Sequence, residues 1–452
     1  MTETDLLALA RGVAAEARPG EQIEAYVVRS RDVDVKVFDA EIESLAVSEI
    51  EGVGVRVIAD SRQGYAWAGS LDADVVRETV VDARDNAGFG SPDEHYALAS
   101  PSDFAGVIAP VLDLWREDLL RVPTADKIAL ALELDAATRA ADPRVRGVES
   151  ATYGDAVVES AVANSVGVEV ASRRTMCSCS AYAMAGEGGE TRTGSGFSVG
   201  RTFTELDVAE AAYDAAERAV RLLGARQPAS RRLPVVLDPL VTRSVLSLVG
   251  GALSGEAILK GRSLFVGREG EFVAGPGITL VDDPTISDAY GAAAHDAEGV
   301  PTRQIELVAG GRLDAFLHNV YTGRRAGCSS TGSAVRGGFK STPGVGARAL
   351  HLVPGSLSPD EILASVPEAL FVQSVSGLHS GTNPVSGDFS VGAEGLMVRG
   401  GALAEPVREV TIASTLQRML HDIVHVGADL RWLPGGAAGM TLLIGEMSMS
   451  GN

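Results

Sequence analysis

The sequence predicts an α+β protein in two parts: an N-terminal domain of antiparallel sheet with helices, residues 1–225, and a C-terminal β-rich, barrel-like domain, residues 233–452. Three observations predict it. Long runs in the first half alternate apolar and polar residues at period two and are punctuated by glycine, the pattern of half-buried strands. These runs are too two-sided to be the core strands of a parallel sheet. Between the halves, "ARQPASRRLP" breaks every periodicity with two prolines and three arginines, and beyond it most apolar segments are short and separated by Gly, Pro, Asn and Asp.

Taken in order, an amphipathic helix is expected over about residues 3–17, followed by antiparallel strands from Ile23 to Ser70. In these, Val53, Val55, Val57 and Ala59 alternate with Gly54, Arg56 and Ile58. A second helix is expected over 72–87, then a polar, proline-punctuated stretch, then a helix from Thr124 to about Ala140. Residues 147–200 read as four strands joined by turns at Tyr153–Asp155, Asn164–Gly167 and Gly186–Glu190. The next helix has Thr204 as N-cap, a stripe through Leu206, Ala209, Tyr213, Ala216 and Val220, and Gly224 as its stop. "PVVLDP" reads as a short strand ending in Asp238, whose carboxylate caps a helix begun by Pro239. One further helix is expected over 412–426.

Composition bounds the function. The 452 residues carry 60 acidic and 39 basic side chains, a formal charge of −21. Nucleic acid is therefore not an expected partner, and any anion-binding surface has to be a local exception. Near the N-terminus there is neither a basic n-region nor a long apolar run, so no signal peptide or membrane span is expected and a cytoplasmic location follows by default. Cys177, Cys179 and Cys328 are the 3 cysteines, too few for a disulfide framework. Cys177 and Cys179 share one face of a strand in "RTMCSCSAYAMA", where packing as small buried hydrophobes is the first reading and half a metal site the second.

Several segments invite chemistry. "HDIVH" places His421 and His425 at the i, i+4 spacing that binds zinc on a helix, with Asp422 where a general-base glutamate would stand. Aspartate is a methylene too short for that task, and a solvated polar face is the plainer account. "LHSGTNPVSGDFSVGAEG" holds His379, Asn383, Ser386 and Asp388 among glycines. They line a cleft as part of a structural loop, or contact a ligand directly, and a nucleophilic relay through Ser386 needs a geometry that spacing cannot supply. Arg324 and Arg325 follow a hairpin signal at Gly310–Gly311; they are either surface arginines or a fork for a peptide carboxylate.

Four stretches of the second half are "EGVPTRQIELVAGGRLDAFLHNVYTGRRAG", "STGSAVRGG", "SGLHSGTNPVSGDFSVGAEGLMVRGGALAEPVREVTIASTL" and "GMTLLIGEMSMSG". In order and spacing they resemble the TldD/PmbA family over most of residues 230–452, and the first half fits through its "NSVG" hairpin and total length. The resemblance implies one of two branches. The TldD-like branch is a metallopeptidase whose HExxxH helix and late cysteine hold zinc. The PmbA branch, also called TldE, is a partner subunit without those ligands, and the pair degrades or trims small or unfolded peptides.

"LSLVGGALSGEAILKGRSLF" separates the branches. Set against the catalytic branch, it puts the family's metal positions at Leu246, Ser247 and Gly251, none of which supplies a zinc ligand or a general base. No histidine lies between His95 and His295, and no cysteine follows Cys328. The resemblance therefore implies a TldE-like chain with no catalytic residue and no metal of its own. Its partner would be a zinc-bearing TldD-like subunit, and peptide would lie in a cleft lined by His379, Asn383, Ser386 and Asp388. Two rival readings remain: an independent hydrolase using His421 and His425 or Ser386, and a peptide-binding homodimer with no catalytic partner.

Overall fold

The structure is a computed structural model describing residues 3–452; Met1 and Thr2 lie outside the described residues. Helix α1 (Glu3–Ala14) leads into strands β1 (Glu21–Phe38), β2 (Glu41–Ala59) and β3 (Arg62–Ala68). Helices α2 (Ala73–Phe89) and α3 (Thr124–Ala141) follow, then β4 (Val145–Asn164), β5 (Glu169–Glu187), β6 (Glu190–Gly200) and α4 (Val208–Val220). The strands form one antiparallel sheet in the order β3-β2-β1-β4-β5-β6, curled into half a barrel.

Period-two alternation gives this sheet two uses. On β1, Ile23, Ala25 and Val27 join Leu6 and Ala10 of α1 and Val76 and Val80 of α2 in one core. Farther along, Val35 and Tyr153 pack with Leu130 and Leu134 of α3 and Ala215 of α4 in another. The intervening β1 residues Glu24 and Tyr26 meet Arg336 of the second half instead.

The second half begins with β7 (Arg231–Leu237), α5 (Pro239–Ala252) and α6 (Gly255–Leu259). Strands β8 (Leu280–Asp282), β9 (Ile305–Ala309) and β10 (Arg312–Leu313) follow, then α7 (Val320–Ala326) and a short pair, β11 (Ala334–Val335) and β12 (Gly344–Val345). Next come β13 (Leu350–Leu352), α8 (Pro359–Ala364), β14 (Glu368–Ser376), α9 (Leu378–Gly381), β15 (Asp388–Arg399), β16 (Ala402–Thr415), α10 (Leu416–His421), β17 (Ile423–Val426) and β18 (Leu442–Ser450). Because β16 pairs with both β15 and β18, strands β7, β14, β15, β16 and β18 close into a five-stranded barrel. Only the β7–β14 step is parallel. Val235, Leu237, Leu370 and Val372 send one barrel face onto α5, while Val236, Phe371 and Leu443 meet Ile362 and Leu363 of α8 on the other. The α+β expectation with a barrel-like second half is the observed architecture.

Three local expectations are corrected. Tyr153–Asp155 is no turn: β4 runs unbroken for 20 residues, so three strands stand where four were expected. Asp155 tolerates its buried strand position because Lys127 of α3 meets it at 2.5 Å and the Tyr153 hydroxyl donates to it at 2.8 Å. Residues 412–426 are not one helix either. Ile412 still belongs to β16, Thr415 caps the six-residue α10 by accepting from the Arg418 N–H, and Ile423–Val426 pairs with β18. Finally, Asp207 rather than Thr204 caps α4; Ala216 and Val220 of the expected stripe are buried, together with Ala211, Ala212, Ala215 and Ala219, but Tyr213 lies outside. The sheet beneath explains this: a Cβ on Gly194 or Gly196 of β6 would stand 2.3 Å from Ala219 N or 2.1 Å from Ala211 O, so only methyl-sized side chains fit.

A buried ionic knot joins the two halves. Arg56 of β2 donates to Glu24 at 2.8 Å and to Glu298 at 3.1 Å, and Arg336 donates to the same Glu24. Glu298 also accepts the Val320 N–H that opens α7, at 2.8 Å. Burial alone would raise the Glu24 carboxyl, but Arg56 and Arg336 outweigh it and hold the group below its ordinary value. Arg56→Met leaves the buried Glu298 without a cation and Glu24 with Arg336 alone, and is expected to lower unfolding free energy by about 3 kcal/mol in urea titrations. Arg11→Met, at the exposed Arg11–Glu169 pair, should cost under about 1 kcal/mol. Since the folded Glu24 pKa lies below the unfolded one, its contribution is present above pH 4.5 and fades as pH falls further. Stability of the wild type should therefore drop more steeply below that pH than stability of Glu24→Gln.

Candidate functional site

Asp238 follows β7 and accepts the Leu240 N–H at 2.9 Å, with Pro239 at the first helical position, so α5 starts where the sequence places it. Val241, Val245, Val249 and Ala252 bury one side of the helix. Gly250 lets the helix lie against β13, since a Cβ there would meet Leu350 Cδ2 at 2.7 Å. The opposite side opens on a groove of about 360 Å³ bounded by Arg243, Ser247, Leu248, Leu378, Pro434 and Ala437.

Of the three positions where the family resemblance places a metal, only Ser247 lines that groove. Leu246 is turned into the core. The Ser247 hydroxyl is exposed to the groove but donates to Arg243 O at 2.9 Å, and Gly251 has no side chain. Arg243 is the titratable group among the groove's lining residues, and it donates to Pro434 O at 3.0 Å. Zinc does not fit this donor set, because it needs imidazole, thiolate or carboxylate ligands. Among the described residues, no three His, Cys, Asp or Glu side chains gather as metal ligands. The groove can hold a chain of amides; it has no acid or base to cleave one.

The loop after α9 borders this region: Pro384 O accepts the Leu264 N–H at 2.9 Å, tying it to the "KGRSLF" segment that follows α6. The structure gathers three of the four residues singled out there. Asn383 Oδ1 accepts from Val385 N at 2.9 Å and Ser386 N at 3.2 Å, an Asx turn, and Ser386 Oγ donates to Asp388 at 2.6 Å. His379 stands on α9, exposed, and makes no hydrogen bond to either. Ser386 thus has a carboxylate acceptor and no imidazole base, and the relay geometry is absent. All four side chains are exposed.

The other candidates resolve as follows. His421 ends α10 and His425 lies on β17 opposite Leu443, so they do not share a helical face and the zincin geometry of "HDIVH" is corrected. Arg324 reaches Asp103 at 3.5 Å, while Arg325 bonds the Tyr321 hydroxyl at 3.0 Å and lies 3.6 Å from Asp93. Both arginines therefore tie α7 to the first half of the chain. Cys177 and Cys179 are buried on β5, each facing β4 across the sheet, Cys179 opposite Tyr153. Burial pushes the Cys177 thiol up to about 12 and the Cys179 thiol up to about 11.

Sequence reasoning missed a second concavity. A cleft of about 450 Å³ lies between the middle of β4 and β5 and the segment 292–297, and Arg173, Arg174, Arg336 and Arg348 line it with Tyr26 and Trp115. Residues so far apart in the chain leave no spacing to read; the adjacent Arg173–Arg174 was the one visible sign.

Comparison with known proteins follows the same lines. The chain matches three family descriptions: PmbA/TldA metallopeptidase domain 1 over residues 23–87, the central domain over 117–223 and the C-terminal domain over 230–451. It is 26% identical to a protein named metalloprotease PmbA from Escherichia coli O157:H7, covering 95% of this chain and 92% of that one. A metalloprotease from Methanothermobacter thermautotrophicus is 29% identical over 92% of this chain and 90% of its own length. In fold, the chain resembles the crystal structure of TldE from Thermococcus kodakarensis, with a TM-score of 0.90 at 22% identity and full coverage of both, 100% each.

The thiols give a direct check on this geometry. A chromogenic disulfide reagent at pH 8 should label Cys328 alone in the folded chain, and all 3 cysteines only after denaturation. Rapid labelling of Cys177 or Cys179 in the native state would contradict the packing of β5.

Proposed function

The chain belongs to the PmbA/TldD metallopeptidase family, and from that premise we propose that it is the non-catalytic, TldE-like subunit of a cytoplasmic heterodimeric zinc peptidase. Its partner is a TldD-like chain that supplies the zinc, and the substrate is a small or unfolded peptide. The observation that carries this reading is helix α5: it is capped by Asp238 and packed on the core, while its Leu246, Ser247 and Gly251 offer no metal donor and the groove beside it has none among its lining residues. Without an activated water or a general base, such a groove positions peptide for chemistry performed elsewhere.

Two further features support it. Residues 41–50 of β2 lie beyond the reach of β3, leaving an unpaired strand edge on which Ile42, Leu45, Val47 and Ile50 are exposed. An apolar edge of this length is a surface that a protein partner covers. In addition, no described helix is long and apolar enough to cross a membrane.

Mixing the purified chain with a TldD-like chain should give one co-eluting species whose peptidase activity is lost on chelation, with zinc travelling with the TldD-like chain in elemental analysis. Hydrolysis of peptides by this chain alone in excess chelator, or stoichiometric zinc bound to it in isolation, would overturn the assignment.

A further inference from the structure

The arginine-lined cleft carries an inference of its own. Arg336 donates to Glu24 and, at 3.1 Å, to Ala297 O, and Arg348 donates to Ala334 O at 2.9 Å. Even so, Arg336 Nη1 and Arg348 Nε are buried without a hydrogen-bond partner, and an unpaired buried donor is costly. Arg174 has no hydrogen-bond or ion-pair partner among the described residues. Burial lowers the Arg348 guanidinium from its ordinary value, and repulsion from Arg174 adds to this against the pull of Asp296 and Asp282. Burial and Arg174 act on Arg201 in the same direction.

Glu24 neutralises Arg336, but the acids near Arg174 and Arg348 form no ion pair with them. Asp113, at the rim, pairs with Arg116 at 2.5 Å. Asp296 accepts the N–H groups of Glu298, Val300 and Ala334, and burial beside Glu298 raises its carboxyl toward the protonated form. The cleft is therefore a positive pocket in a chain of formal charge −21. Its other walls are not those of a bare anion site. Arg173 lies over the Trp115 ring with 4.9 Å to the centroid, and Leu112, Val162 and Ala292 give apolar surface. The volume, about 450 Å³, is that of a pocket for a small organic molecule.

We propose that this cleft binds the C-terminal carboxylate of a short peptide, with Arg174 and Arg348 receiving the anion and the Trp115 wall receiving the last side chain. A carboxylate offers the paired acceptors that guanidinium groups recognise, and a peptide supplies an amphipathic body behind a single charged end. This deepens the reading of the chain as a peptide-handling subunit and rests on it. The cleft is separate from the α5 groove and places substrate recognition in the subunit without the metal.

Calorimetric titration of the full chain with acetyl-trialanine, its C-terminal amide and inorganic phosphate tests this. The acid should bind at least about tenfold tighter than the amide, as expected for loss of a charged hydrogen-bonding partner. Arg174→Gln, which removes no internal bond, should lower affinity for the acid by about tenfold and leave affinity for the amide unchanged; Arg348→Gln should act in the same direction. Equal affinities for acid and amide, no binding of the acid, or an unaltered Arg174→Gln variant would each overturn the proposal. Phosphate binding as tightly as the acid, and lost in Arg174→Gln, would assign the arginines to an inorganic oxyanion and overturn the peptide assignment. Co-elution with a TldD-like chain is measured independently of these titrations, so loss of the cleft reading leaves the subunit reading standing.

Discussion

Glu24, Arg56, Glu298 and Arg336 form a closed set of two acids and two bases at the junction of the halves, and the remaining architecture depends on it. Such a set adds little net stability, because desolvating four charges offsets most of their attraction. What it fixes is register. Glu24 and Tyr26 face the second half while Ile23, Ala25 and Val27 face the helices, so a one-residue slip of β1 would drive Glu24 into an apolar core. Through Glu298 the same set holds the first N–H of α7, and through Arg336 it holds the carbonyl of Ala297. The segment 292–297 is thereby suspended over β4 and β5 instead of collapsing onto them, and the arginine-lined cleft is the space left between.

The protein thus presents two concavities of opposite character. The groove over α5 is lined by Ser, Leu, Pro, Gly, Ala and a bonded arginine. The cleft over the sheet concentrates charge and aromatic surface. The groove lies in the second half of the chain and the cleft between the two halves.

Much of the fold was legible because it follows from local rules. Asp238 followed by Pro239 announces the start of α5, Asn164 followed by Gly167 announces a hairpin, and alternating valines announce β2. The site was legible only in negative: Leu246, Ser247 and Gly251 show what α5 lacks, and the segment holding Asn383, Ser386 and Asp388 was legible as a structural loop, whereas its Asx turn was not.

The sequence by itself determined the class of architecture and the absence of zinc donors at those three positions, because periodicity and residue type are properties of a short stretch of chain. Tertiary structure alone decided three other things. Asp155 could continue a strand because Lys127 waits opposite it. "HDIVH" divides between a helix end and a strand because β18 offers Ile423–Val426 an edge to pair with. Arg173, Arg174, Arg336 and Arg348 line one cleft although they are scattered across the sequence. In each case the deciding partner is remote in the chain, and burial and hydrogen bonding act on neighbours in space.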